Sequence, residues 1–199
     1  MGQRLVVTIE RSEKPLAKLY FHWSAYTGDA LYVTRDIVHC IYNHKDETDK
    51  DMLLRLIHFC EGRGGCIDGD LEERRYIAKL YPNEKFKETG SRSDGLIVLS
   101  KEGMADMQQW SEGDVYINLD EDTVDFCVYS GYDNLEEYIE ERKSWDDDFE
   151  AMTLEEIPDL EYGIGFFDVK DIDALIAKFE SIEDNQNVIR CGSEIVELI

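Results

Sequence analysis

Two hydrophobic periods alternate along this chain. Residues 5–9 and 16–23 are β-rich runs on either side of the polar stretch 10–15, which predicts a hairpin with a polar loop. From Asp29 the period lengthens: Ala30, Leu31, Val33, Ile37, Val38, Ile41 and Tyr42 fall on one helical face, with Gly28 at its start. After the charged stretch 43–50, Met52, Leu53, Leu56, Ile57, Phe59 and Cys60 repeat that spacing, and Gly62 is placed to stop the helix. Residues 62–69 are the most glycine-dense stretch and predict a loop. Residues 71–80 predict a short third helix closed by Tyr81 and Pro82, and the polar stretch 83–94 predicts a mobile excursion.

Residues 95–100 read as a buried strand leading into a helix over 101–110. The sets Val115/Ile117/Leu119 and Val124/Phe126/Val128 have period two and flank Asp120, Glu121 and Asp122, so they predict a second hairpin with one buried face. An acidic helix over 134–143 and an irregular acidic stretch over 144–158 follow, then a strand at 163–167. Asp168 is placed to cap a helix carrying Ile172, Leu175, Ile176 and Phe179, and residues 187–190 and 194–198 predict a closing hairpin. Strands arrive as hairpins and helices in groups, which predicts an α+β fold with mostly antiparallel sheet. No Pro/Gly/Ser-rich linker divides the 199 residues, so one domain with two lobes is expected, 1–99 and 100–199.

Charge separates those lobes. Residues 1–99 hold 15 Lys/Arg and 16 Asp/Glu, whereas residues 100–199 hold 6 and 29, so nearly all of the net charge of −24 lies in the second half. A field of that sign opposes direct binding to nucleic acid or anionic membranes and favours a basic partner. The 43% apolar content is enough for a real core. Five cysteines without framework spacing, no signal-peptide pattern and no apolar run of membrane-spanning length point to reduced cytoplasm.

Four clusters bear on chemistry. His22 and Ser24 share one face if strand alternation continues, opposite Phe21 and Trp23, and a histidine beside hydroxyls suits general acid/base work; the plainer reading is the end of a strand. The glycine loop places Arg63 and Cys66 where a fixed charge and an accessible thiol could act. That loop lacks both the P-loop ending and dinucleotide-type glycine spacing, so a simple tight turn is the competing reading. Scattered histidines and acidic runs without calcium-loop spacing give no metal site, and no cofactor is implied. The fourth cluster is the acidic half itself, with its aromatic residues interleaved. Glu136, Glu137, Glu140, Glu141, Asp146, Asp147 and Asp148, anchored by Tyr138 and Trp145, are the candidate binding residues for a basic groove.

Several segments resemble small, uncharacterised acidic proteins of bacteriophages and prophages of Gram-positive bacteria. They are Met1-Gly-Gln-Arg-Leu-Val-Val-Thr-Ile9, Tyr20-Phe-His-Trp-Ser-Ala-Tyr-Thr27, Glu61-Gly-Arg-Gly-Gly-Cys66 with Asp68-Gly69, and Gly95-Leu-Ile-Val-Leu-Ser100 with Glu102-Gly103. The resemblance implies a phage accessory product in the host cytoplasm that binds and blocks a host protein. The expected function is therefore non-enzymatic inhibition of a basic, nucleic-acid-handling defence protein. The alternative is a small-molecule-binding or hydrolytic protein using His22, Ser24, Arg63 and Cys66. A self-associating accessory protein is a third option.

Overall fold

The computed structural model describes residues 4–25, 27–65, 67–68, 70–89, 95–109, 111–128 and 163–189. Eight strands form one sheet: β1 (Leu5–Arg11), β2 (Lys14–Phe21), β3 (Ile67–Asp68), β4 (Glu88–Thr89), β5 (Leu96–Val98), β6 (Gly113–Asn118), β7 (Thr123–Val128) and β8 (Gly163–Asp168). Their order is β4-β3-β5-β2-β1-β6-β7-β8. Among the described residues five helices accompany them: α1 (Thr27–Ile41), α2 (Asp49–Gly62), α3 (Leu71–Leu80), α4 (Lys101–Gln108) and α5 (Ile172–Ile189). The fold is α+β. Its longer ladders are antiparallel except β1–β6, which runs parallel at the centre of the sheet.

Period-two alternation sorts each strand between two faces. Leu5, Val7 and Ile9 of β1, Leu19 and Phe21 of β2, Val115 and Ile117 of β6, and Val124 and Phe126 of β7 pack in one core with Leu31, Ile37, Leu56, Ile57 and Phe179. These belong to α1, α2 and α5, which therefore cover this face. On the other face Val6, Tyr20, Leu96 and Val98 pack against Met104 and Met107 of α4. Because β1 is buried on both faces, its run of apolar residues is continuous rather than alternating.

Side-chain caps fix where the helices begin. The Thr48 hydroxyl accepts from Asp51 N at the start of α2, Asp70 accepts from Glu72 and Glu73 N at α3, and Ser100 accepts from Gly103 N at α4. Glu73, 1% exposed, ties α3 to the β5–α4 junction: its two carboxylate oxygens accept from Leu99 N at 2.6 Å and Ser100 N at 2.9 Å.

Several expectations are corrected. The first hairpin closes in a two-residue turn, Ser12 and Glu13, both at positive φ (53° and 58°), so Lys14 and Pro15 join β2 instead of forming part of a loop. Part of the glycine-rich loop is a strand, since Ile67 pairs with Ile97 and with Glu88. The polar excursion likewise contributes Glu88 and Thr89 as an edge strand. Asp168 ends β8 and its side chain makes no cap; a 3₁₀ turn over Val169–Asp171 precedes α5. Residues 187–189 continue α5 and do not begin a hairpin. The expected acidic helix at 134–143, the irregular stretch 144–158 and the second strand of the closing hairpin lie outside the described residues.

Candidate functional site

Strand β2 ends at Phe21, so the alternation expected to carry on through Ser24 stops there. His22 and Trp23 occupy the following turn, and their rings meet edge to face at 4.8 Å instead of diverging to opposite faces. His22 Nδ1 lies 2.7 Å from the Tyr20 hydroxyl, on the α4 side of the sheet. Trp23 is 55% exposed and Ser24 is half-buried. Arg63 is committed elsewhere. It donates to Asp36 at 2.7 Å and lies over the rings of Phe21 and Phe59, on the α1/α2 side. His22 and Arg63 are therefore held on opposite sides of the sheet, and Cys66 lies outside the described residues.

Among the described residues lie two surface grooves, of about 480 Å³ and about 340 Å³. The first is lined by Glu47, Asp51, Leu54, Arg55 and His58 on the outer side of α2, the second by α3 and residues near Phe86. Neither includes His22, Ser24 or Arg63. Among the described residues no group of three His, Cys, Asp or Glu side chains is arranged to hold a metal ion, and no helix is long and apolar enough to cross a membrane. Burial raises the Cys40 pKa.

Residues 136–148, which carry every acidic binding candidate, lie outside the described residues. The sheet does fix the ends of the connection that contains them. Val128 and Gly163 are direct register partners on β7 and β8, at the same end of the sheet as Phe21, Leu5 and Gly113. The connection therefore leaves and rejoins the fold at the same end of the sheet as the turn that bears His22 and Trp23, with β1 and β6 between that turn and β7.

How the two halves share charge is legible among the described residues. Four of the eight arginines of the first half pair with acids of the same half: Arg11 with Asp49 at 2.5 Å, Arg35 and Arg63 with Asp36 at 3.0 and 2.7 Å, and Arg55 with Glu47 at 2.8 Å. Arg4 and Lys45 cross over, to Glu112 at 2.9 Å and Asp122 at 2.6 Å. Burial raises the Glu112 carboxyl, but its bonds to the Arg4 side chain and backbone and the Arg4 charge outweigh this and hold its pKa below the ordinary value. Asp120, Glu121, Asp125, Asp171, Asp173 and Glu180 of the second half are exposed.

The sheet also gathers a polar row that sequence reasoning missed. On the face opposite α1, α2 and α5, pairing register sets Lys18, Thr8, Tyr116, Asp125 and Phe166 side by side across β2, β1, β6, β7 and β8. Lys18 is 9% exposed and donates to the Gln108 amide oxygen, and Gln108 Nε2 donates to Asp114 Oδ1 at 2.8 Å. Burial lowers the Lys18 pKa and raises that of Asp114. Burial, then the Asp114 charge, pushes the Tyr116 phenol up to about 12. The Thr8 hydroxyl, 1% exposed, has no hydrogen-bond partner. Phe166 is 62% exposed beside an exposed Asp125. The signal for this row was available: once Val115, Ile117, Val124 and Phe126 face the core, Tyr116 and Asp125 must face away.

No family model, no curated protein and no solved structure matches the chain. The functional reading therefore rests on its own residues.

Proposed function

We propose that this is a non-enzymatic binding protein whose acidic C-terminal half docks on a basic, nucleic-acid-handling protein and blocks it. The observation that carries the reading is the division of charge. Four of the first half's eight arginines, Arg11, Arg35, Arg55 and Arg63, pair with acids of that half, and Asp120, Glu121, Asp125, Asp171, Asp173 and Glu180 of the second half are exposed. Such a surface attracts a basic groove at long range and competes with the polyanion that normally fills it. Glu136, Glu137, Glu140, Glu141 and Asp146 to Asp148 supply charge in this reading, and Tyr138 and Trp145 supply apolar anchors. Trp23 is exposed at the same end of the sheet as the two ends of the acidic connection. The resemblance to phage accessory proteins makes counter-defence inside a bacterial host the setting we propose. The alternative pocket near His22 and Cys66 gains no support from the described residues, since His22 and Arg63 are held on opposite sides of the sheet.

The test is capture from bacterial lysate at low and at physiological-to-high salt, using the native chain and a triple charge reversal of Asp146, Asp147 and Asp148 to Lys. The expected outcome is a nucleic-acid-binding protein retained at low salt, lost steeply as salt rises, and bound at least tenfold more weakly by the reversal variant. Retention that is indifferent to both salt and charge reversal contradicts the proposal.

A further inference from the structure

Phe166 is the most exposed of the large apolar side chains described, and it stands beside a carboxylate. Tyr116 pairs with Asp125 on one side and Phe166 pairs with Asp125 on the other, all on one face, so the order across the sheet is aromatic, carboxylate, aromatic. Adjacent strands lie about 4.8 Å apart, which sets the two aromatic positions roughly 10 Å from each other with Asp125 midway. A cation held above Asp125 is then about 5 Å from each ring position, inside the roughly 6 Å range over which an aromatic face attracts a cation. We infer that Tyr116, Asp125 and Phe166 form a receptor for an arginine side chain of the basic partner.

Arginine fits better than lysine. Its planar guanidinium stacks on aromatic faces, carries a weak hydration shell, and presents paired N–H donors to a carboxylate. A compact ammonium stays hydrated and gains less from the rings. The surroundings favour a cation further, because Glu10 and Asp114 lie on the same face of the sheet. The one lysine on this row, Lys18, is drawn toward Gln108 at the far end.

This inference rests on the reading of a basic protein partner, and the two can fail separately. The experiment measures binding of hexa-arginine, hexa-lysine and hexa-citrulline peptides to the full chain by calorimetry at low salt, with backbone-amide NMR shifts recorded for residues 114–127 and 163–168. Variants are Asp125→Asn, Phe166→Leu, Phe166→Tyr, and the charge reversal of Asp146 to Asp148. The native chain is expected to bind hexa-arginine severalfold more tightly than hexa-lysine and not to bind hexa-citrulline, with shifts centred on Asp125 and Phe166. Phe166→Leu keeps apolar bulk without a ring and is expected to lose about three- to fivefold in affinity together with the arginine preference, whereas Phe166→Tyr retains both. Asp125→Asn is expected to weaken binding by about three- to tenfold.

Arginine binding that is unaltered in both Phe166→Leu and Asp125→Asn overturns the receptor and leaves the general electrostatic reading standing. Loss in those two variants with no effect of the Asp146 to Asp148 reversal supports the receptor and removes the acidic connection as the docking element. No binding of either cationic peptide overturns both.

Discussion

At the scale of single residues, charge placement decides how this protein responds to pH. Glu112 accepts from Arg4 at its backbone N (2.9 Å) and at Nε and Nη2 (3.0 and 2.9 Å), and the net effect lowers its pKa below that of an unfolded glutamate. A carboxylate with a depressed native pKa stabilises the fold fully above its unfolded pKa, and that contribution fades as pH falls through the native value. Glu112→Gln is therefore expected to lower stability at neutral pH and to have little effect once the solution is acid enough to protonate Glu112 in both states. Urea titrations of the two proteins from neutral to acid pH check this, since the curves should converge at the acid end. Asp114 has the opposite sign: burial raises its pKa, so its ionised form works against the fold at neutral pH. A polar group that costs stability on a face bearing the proposed arginine receptor is consistent with a role in recognition.

At the scale of elements, α5 packs closely against the start of α1. A Cβ added to Gly28 would lie 2.7 Å from Phe179 Cε1 and 2.8 Å from Cζ, so the glycine is needed to let α5 seat its phenylalanine against α1. Phe179 is 1% exposed and has no room to withdraw. Gly28→Ala is therefore expected to destabilise the protein by about 1–3 kcal/mol despite the better helix propensity of alanine. Chemical denaturation reports the loss, and unchanged stability would show that α5 does not dock as described. The helices were legible because each is long enough to show its period: α3 falls on 71–80 as read, and α1, α2 and α4 lie within a few residues of the runs that predicted them. Strands β3 and β4 were not legible, because two residues carry no period and their pairing depends on Ile97 some thirty positions downstream. The row Tyr116–Asp125 was half visible in the alternation of its hairpin. Phe166 was not, since Phe166 and Phe167 are chemically identical neighbours and only the ladder to β7 decides which faces the core.

At the scale of the whole molecule, the boundary in charge does not coincide with a boundary in the sheet. Charge divides near residue 100, yet β1 lies between β2 of the first half and β6 of the second, and Val7 and Ile9 share one core with Val115 and Ile117. We propose on this basis that the two lobes fold as one cooperative unit. Chains 1–99 and 100–199 made separately are each expected to lack a cooperative thermal transition, and to recover one on mixing if they recover it at all. A sharp independent transition in either half, seen by circular dichroism or calorimetry, would make the halves separate domains. The exposed Asp120, Glu121 and Asp125 are thus carried on a hairpin that the near-neutral half holds in place.

The central parallel pair has a consequence for biosynthesis. Arg4 meets Glu112, 108 positions later in the chain, so during synthesis β1 waits with one edge unpaired until β6 has emerged. Ser12 and Glu13 close the opening hairpin early and shelter its other edge, so the nascent chain holds a local structure ready to receive β6.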